Sequence, residues 1–345
     1  MEKLDRTEIN ELGEFGLIKH LTGHFSLQNN SSVLGVGDDA AVINHNGKFT
    51  AISTDVLLEG VHFDLMYTPL PHLGYKAISV NVSDICAMNA VPEQVLVSIG
   101  ISNRFSVEAL ESFYQGIKQA CEDYGVDLVG GDTSTSLKGF FISVTSIGSV
   151  EPDKYVKRST AKPGDLIYVS GDLGAAFTGL QLLEREKQVF LENPDIQPDL
   201  EDQTYTVGRQ LKPKARLDIV KKLSELKIIP TSMIDISDGL SSEILHICSA
   251  SETGCLLEES LIPIDPDTYN LALKFNLDPI VCALNGGDDY ELLFTISPEH
   301  EHLITTDLDM TRIGIITEKT QEYFLKSKAG KIHPLIAQGW AHLNK

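Results

Sequence analysis

Nowhere does the sequence hold a run of about 18 apolar residues, so no helix built from it is expected to span a bilayer. Its start, Met1-Glu2-Lys3-Leu4-Asp5, lacks the basic-then-apolar order of a secretion signal. Cysteines are few: Cys86, Cys121, Cys248, Cys255 and Cys282, an odd number with no CxxC pair. That argues against a disulfide scaffold or a structural zinc site and makes the reducing cytoplasm the expected home. Basic residues are also scarce. Against 49 Asp and Glu stand only 28 Lys and Arg, a formal net charge of −21. Such a chain repels nucleic acid and anionic membranes, so neither is an expected partner. Several catalytic signatures are missing as well. Without GxxxxGKS/T there is no P-loop, and without HRD and a following DFG no protein-kinase fold. GxSxG and HExxH are absent too, which removes the nucleophile elbow and the zinc-protease helix.

What is present suits ordinary globular folding. The chain has 345 residues, 42% of them hydrophobic, and a mean hydropathy near zero. That length exceeds one typical core and predicts two domains. Helical spacing of Leu12, Phe15, Ile18 and Leu21 predicts a helix over 10–25. Strands are expected at 33–36, 50–53, 94–101, 126–129 and 140–150, with helices at 72–88 and 106–124. A second half opens at the turn Lys162-Pro163-Gly164-Asp165. It reads as strands at 166–170, 231–236, 254–258, 292–296, 312–316 and 323–326, with helices at 173–185, 215–226 and 239–250. The acidic stretch 186–204, with Pro194 and Pro198 and no periodicity, reads as an exposed insertion. Mixing of strands and helices in both halves predicts an α/β chain of the α+β type, divided into 1–150 and 151–345.

The informative feature is a set of aspartate turns placed where strands end. They are Gly35-Val36-Gly37-Asp38-Asp39, Ser53-Thr54-Asp55, Gly130-Gly131-Asp132, Asp235-Ile236-Ser237-Asp238-Gly239 and Gly286-Gly287-Asp288-Asp289. Asp84, in Asn81-Val82-Ser83-Asp84, adds a helical one; its spacing from Asn81 puts both on one face. Any one of these alone reads as a turn or a cap. Together they read differently, because converging carboxylates repel unless cations neutralise them. Hard oxygen donors select magnesium-like ions, which commonly accompany phosphate-bearing substrates. Glycines beside them let backbone N–H groups approach phosphate oxygens. The pattern therefore predicts metal-assisted phosphoryl transfer. Gly35-Val36-Gly37 begins like a dinucleotide fingerprint, but Asp38-Asp39 stand where a pyrophosphate would sit.

The chain resembles the thiamine-monophosphate kinases in its complete ordered set of motifs. The matching segments are Gly13-Glu14-Phe15-Gly16-Leu17-Ile18, Gly35-Val36-Gly37-Asp38-Asp39-Ala40-Ala41, Ile52-Ser53-Thr54-Asp55 and Asn81-Val82-Ser83-Asp84-Ile85-Cys86-Ala87-Met88. Further along come Gly130-Gly131-Asp132-Thr133, Arg158-Ser159-Thr160-Ala161-Lys162-Pro163-Gly164-Asp165, Ile234-Asp235-Ile236-Ser237-Asp238-Gly239-Leu240 and Gly286-Gly287-Asp288-Asp289-Tyr290-Glu291-Leu292. Single motifs recur across the wider aminoimidazole ribonucleotide synthetase superfamily. The resemblance implies a homodimer that pairs through N-terminal sheets, with a separate C-terminal α/β domain. It implies ATP as co-substrate, thiamine monophosphate as acceptor and several Mg²⁺ ions. Asp39, Ser53, Thr54, Asp55, Asp84, Asp132, Asp235 and Asp238 match metal ligands. Tyr114, Gly131, Asp132, Arg158 and Ser237 match ATP contacts, and His62, Asp288 and Trp340 fall at acceptor positions. Family members usually carry Glu where this chain has Asp288, one methylene shorter. The implied reaction is direct in-line transfer to a phosphate oxygen, in which no side chain is assigned as catalytic.

Two alternatives stand beside this reading. One is ATP-dependent activation of another small metabolite within the superfamily, such as selenide or a formylglycinamidine. A selenide-activating relative is expected to carry a reactive Cys near its N-terminus, and a hydrogenase-maturation relative to end in Cys. The first cysteine here is Cys86 and the last residues are Leu343-Asn344-Lys345. The other alternative is a non-enzymatic acidic cation-binding protein, which would bind Mg²⁺ or Ca²⁺ without turning over ATP.

Overall fold

A computed structural model describes residues 13–22 and 27–338. The expected helix over 10–25 is seen as α1, Gly13–Thr22. The first sheet is built from β1 (Ser32–Leu34), β2 (Ala41–His45), β3 (Lys48–Leu58), β4 (Val91–Ile101), β5 (Asp127–Thr135) and β6 (Phe141–Val150). Its order is β1-β2-β3-β6-β4-β5. All neighbours are antiparallel except β4 and β5, which run parallel. That parallel pair needs a crossover, supplied by α3, Val107–Tyr124. The Ser106 hydroxyl accepts from the Ala109 N–H at its start, and Gly125 closes it in the left-handed conformation at φ 70°.

Helix α2, Leu70–Ala87, positions the site. It opens on the Pro69-Leu70-Pro71 segment, where a missing N–H costs nothing. Fourteen of its 18 residues are buried, so it is a core helix rather than a surface one. Against it lies α3, at a separation set by glycine: a Cβ on Gly116 would stand 1.8 Å from the Pro71 carbonyl oxygen. On its other sides α2 meets β3, β6 and the first strand of the second sheet to be reached, β8 (Ser232–Asp235).

The second sheet adds β7 (Leu166–Ser170), β9 (Thr253–Glu258), β10 (Leu292–Ile296), β11 (Met310–Glu318), β12 (Tyr323–Lys326) and β13 (Ile332–Pro334), in the order β13-β12-β9-β11-β7-β10-β8. Its helices are α4 (Ala175–Glu192), α5 (Thr204–Leu211), α6 (Leu217–Glu225), α7 (Leu240–Ser251), α8 (Pro266–Lys274) and α9 (Pro279–Asn285). The larger core cluster is continuous between the sheets, from Val97, Ile142 and Val144 through Ile78 and Phe113 to Tyr168, Leu217 and Phe294. A second cluster joins Ile167, Val169 and Ile313 to Ile244 and Ile247 of α7. The chain is thus a mixed α/β fold of two sheets.

One sequence expectation needs correcting. The stretch 186–204 is not wholly an exposed insertion, because α4 continues to Glu192 and α5 begins at Thr204. Glu186 is buried. It accepts from the Arg185 guanidinium and, through its other oxygen, from the Asp199 N–H at 3.1 Å. Arg185 in turn lies over the Phe275 ring at 5.1 Å. Charges that read as surface are here paired and packed. Only 193–199 is exposed and free of helix.

Candidate active site

Strand alternation on β3 sends Ser53 and Asp55 toward α2 and Thr54 to the opposite face. The Ser53 hydroxyl donates to Asp84 Oδ2, and the Asp55 N–H donates to Asn81 Oδ1 at 3.0 Å. Asn81 and Asp84 lie one helical turn apart on α2 and face the same strand, as their spacing predicted. From the second sheet, Asp235 arrives at the C-terminal end of β8. From the loop before β2 comes Asp39, 8% exposed. One carboxylate oxygen from each of Asp39, Asp84 and Asp235 lies within 4.8 Å of the other two.

Arg158 is the cation that faces them. Its guanidinium grips Asp39 in a fork, Nε to Oδ2 at 2.8 Å and Nη2 to Oδ1 at 2.7 Å. Its own N–H donates to Asp38 Oδ1 at 3.0 Å. Hydroxyls of Ser232 and Ser251 both donate to its carbonyl, fixing the turn. One guanidinium does not neutralise this many acids. Burial, then the charges of Asp55 and Asp235, push Asp84 well above the usual carboxylate range. Burial and the Asp39 charge raise Asp235 to about 7, and burial with the same charge raises Asp38 to about 6. A cluster of hard oxygens with excess negative charge fits a divalent cation. Oxygens on opposite sides of a magnesium ion at about 2.1 Å each lie about 4.2 Å apart.

These shifts carry a sign that can be measured. A carboxyl raised in the fold holds its proton to higher pH than in the unfolded chain. Its contribution to stability is complete below about pH 4 and is lost as pH rises through the folded value. Asp235, Asp84, Asp289 (raised to about 7, burial being the largest cause) and buried Glu243 all act in this direction. His72 and His246, held neutral by burial, act oppositely but only below about pH 6.5. Chelator-treated protein is therefore expected to lose melting temperature between about pH 6.5 and 8. A hard divalent cation at about a hundredfold excess over its dissociation constant should add about 2.7 kcal/mol. Melting temperatures that rise across this window without metal would refute the clustered-acid account.

Next to the cluster, the turn after β8 is held from α7. Glu243 accepts from the Asp238 N–H at 3.0 Å and from the Ser237 hydroxyl at 3.4 Å. The Ser237 carbonyl accepts from the Asp288 N–H at 2.7 Å, and the Ile236 carbonyl from the Tyr290 N–H at 2.8 Å. Only glycine fits at 287, where a Cβ would lie 2.4 Å from the Ser237 oxygen. The Asp288 carboxylate accepts from Lys76 Nζ at 2.9 Å, Gln210 Nε2 at 3.2 Å and the Tyr290 hydroxyl at 3.0 Å. Burial would raise Asp288, but the Lys76 charge and these hydrogen bonds hold it below its ordinary value.

Thus Asp39, Ser53, Asp55, Asp84, Arg158 and Asp235 converge, with Ser237, Asp238 and Asp288 on the adjoining turns. Other residues singled out in the sequence lie elsewhere in the single chain. Thr54 donates to the Val144 carbonyl at 2.9 Å and faces outward. Asp132 stands opposite Ser98, in the row that continues through Ser143 to exposed Val56. Its side chain therefore lies on the outer face, lining a cleft of about 660 Å³ with Leu58, Ser98, Ser134, Lys138 and Phe141. Gly131 sits in the same strand, where a Cβ would stand 1.8 Å from the Val97 carbonyl oxygen. Tyr114 is half-buried on α3, its ring edge-on to Phe113. His62 follows β3, its Nδ1 accepting from the Leu58 N–H at 3.0 Å. Trp340 lies outside the described residues. Lys76, Gln210 and Glu243 carried no role in the sequence reading. The signal for Lys76 was available: it is the lone charge between Leu70 and Ser83 in a helix apolar on every side.

Comparison with known proteins adds to this geometry. Residues 37–150 match the family described as "AIR synthase related protein, N-terminal domain". The thiamine-monophosphate kinase of Aquifex aeolicus is 37% identical over 334 residues, 97% of this chain and 99% of its own. That of Bacillus subtilis is 33% identical over 316 residues, 90% of this chain and 93% of its own. Among solved structures, "AaThiL complexed with AMPPCP and TMP" superposes with a TM-score of 0.83 at 35% identity, covering 98% of this chain and 99% of that one.

Proposed function

Because this chain belongs to the thiamine-monophosphate kinase family, we propose that it transfers the γ-phosphoryl group of ATP to the phosphate of thiamine monophosphate. The products are thiamine diphosphate and ADP. The observation that carries this reading is the convergence of Asp39, Asp84 and Asp235 around one guanidinium. A relative of 35% identity is described as complexed with AMPPCP and TMP, which supports binding of a nucleotide and a second ligand.

The donor set fits magnesium, and Asp39, Ser53, Asp55, Asp84, Asp235 and Asp238 would hold it; Thr54 and Asp132, on the opposite face of the first sheet, would reach only a separate ion there. Magnesium bound there supplies charge neutralisation between two anionic phosphates and orients them in line. The chain's own residues do the rest by position. Ser53 and Asn81 fix Asp84 and the Asp55 backbone, and Arg158 places Asp39 while offering a fork suited to phosphate oxygens. Tyr114, Gly131, Asp132, Arg158 and Ser237 serve ATP; His62, Asp288 and Trp340 serve the acceptor. An acceptor phosphate is already ionised at neutral pH, so no strong general base is required.

The work divides near residue 150, with 1–150 supplying most metal and ATP contacts and 151–345 closing the acceptor side. A homodimer fits the first sheet, whose outer face exposes Val56, Leu58 and Phe141 and whose edge strand β5 is exposed at every residue. A second copy laid on that face would cover Thr54 and Asp132. Among the described residues no helix is long and apolar enough to cross a membrane. Five unpaired thiols suit the reducing cytoplasm as the working compartment.

The test is ADP release with thiamine monophosphate, with unphosphorylated thiamine and with neither. Turnover is expected with the monophosphate, and a rate about 10²-fold lower or less with thiamine, since the site's charges are then left unmatched. Comparable rates would rule out a dedicated monophosphate site.

A further inference from the structure

Lys76 is 3% exposed, which is rare for an ammonium unless it is paired. Its partner is Asp288, 212 residues away, at 2.9 Å. The pair is asymmetric. The lysine side chain is 4% exposed and the aspartate 34%, so the ammonium lies behind a carboxylate that opens outward. Two further donors, Gln210 Nε2 and the Tyr290 hydroxyl, hold the same carboxylate. The backbone that presents it is strained: Asp288 sits at φ 59° and Tyr290 at φ 52°, both left-handed and neither glycine. Such conformations persist where surrounding contacts over-determine them, and they gather at ligand clamps. The clamp here is explicit. Asp288 and Tyr290 donate their N–H groups to Ser237 and Ile236, and Asp289 between them accepts from the Gly174 N–H at 2.8 Å.

The elements that carry this pair also carry the metal-type cluster. Lys76 precedes Asp84 by two turns of α2, and the Asp288 N–H is bonded to the turn that follows Asp235. We infer that Lys76 is a positioning residue for the acceptor: it anchors the partly exposed Asp288 carboxylate beside the metal-type cluster, where that carboxylate receives the cationic ring system of thiamine monophosphate. This inference rests on the kinase reading above. It also gives the shorter side chain a physical place, since an aspartate at 288 reaches the buried ammonium behind it and is held there. Among the described residues Asp288 is the carboxylate that pairs with Lys76, and the other acceptor of its ammonium is the Gln210 carbonyl at 3.4 Å.

The experiment is steady-state kinetics on Lys76→Met, Asp288→Asn and the double variant, with both substrates titrated and a melting curve for each protein. Lys76→Met should raise KM for thiamine monophosphate about tenfold, equivalent to about 1.4 kcal/mol. KM for ATP should stay within about twofold, since a positioning loss on one side of the site need not touch the other. Asp288→Asn should raise the same KM at least as much. The double variant should be no worse than Asp288→Asn alone, because residues acting through one contact are not additive. Equal weakening toward both substrates, or a double variant clearly worse than Asp288→Asn, overturns the inference. Should a single variant fail to fold, as Asp288→Asn could by leaving the Lys76 ammonium buried without its counter-ion, the double variant still decides: it removes both charges and should raise the acceptor KM while KM for ATP stays within about twofold. An unchanged acceptor KM in Asp288→Asn would overturn it too. Failure of the kinase reading looks different: wild-type protein would then release no ADP in response to thiamine monophosphate.

Discussion

Replacing Asp84 with asparagine should lower kcat/KM by about 10³-fold or more, a loss of at least about 4 kcal/mol of transition-state stabilisation. The same change should leave the metal-free protein as stable as wild type or more so. The two effects have one cause. Asp84 stands within reach of Asp39 and Asp235 and is held by the Ser53 hydroxyl, and its proton is retained to unusually high pH by burial and by neighbouring carboxylates. Asparagine keeps the shape and an acceptor for Ser53 while removing an ionisable carboxyl from a repelling group. What it removes with that charge is a ligand for cations between two anionic substrates. Activity and stability should therefore move in opposite directions, a signature that a merely structural aspartate would not give. Activity within about threefold of wild type, about 0.65 kcal/mol of barrier, would take Asp84 out of the site. So would a fall in melting temperature that parallels the loss of activity.

The second large effect belongs to Arg158. Its fork holds Asp39, whose side chain is 1% exposed against 16% for the arginine. Arg158→Met keeps the apolar stem and leaves a buried carboxylate without its cation, a change that costs about 3–5 kcal/mol in comparable buried pairs. Urea unfolding in the presence of chelator should show that loss as a lower midpoint with an unchanged slope. Added magnesium should recover part of it, because a bound cation takes over the neutralising role. Arg158→Lys should fall between, since an ammonium restores charge but not the planar two-point grip. A loss under about 1 kcal/mol, typical of exposed pairs, would mean that Asp39 is not held by this contact.

The aspartate turns were legible in the sequence because their chemistry is local. Asp39 and Asp235 stand in the loop after β1 and at the end of β8, and Asp84 on a helix whose apolar period put it on one face with Asn81, whereas Asp55 and Asp132, expected in turns, lie inside β3 and β5. Three helices, α5, α8 and α9, went unread, and the last two carried a visible start signal. Asp265-Pro266 and Asp278-Pro279 each place a capping aspartate before a proline at the first helical position. At nine and seven residues, 266–274 and 279–285 are too short to display a helical period. Other features were not readable at all. Asp132 lies in β5, which a bulge between Val95 and Leu96 shifts by one residue against β4, whereas Thr54 turns outward by plain alternation between Ser53 and Asp55. No local pattern announces such a slip. The Lys76–Asp288 pair joins positions 212 apart, and only tertiary packing could bring them together.

Helix α2 has one more consequence. Its faces are divided among α3, the first sheet and the edge strand β8 of the second, and the core that covers it runs without a break from Val97 to Phe294. Neither half of the chain can bury this helix by itself, so partial opening of either half exposes apolar surface belonging to both. Such a core unfolds as one cooperative unit rather than as two. The carboxylates at its end repel, and a repelling group persists only where everything around it must give way together. Cooperativity across α2 is thus what keeps like charges assembled before any cation arrives to reconcile them.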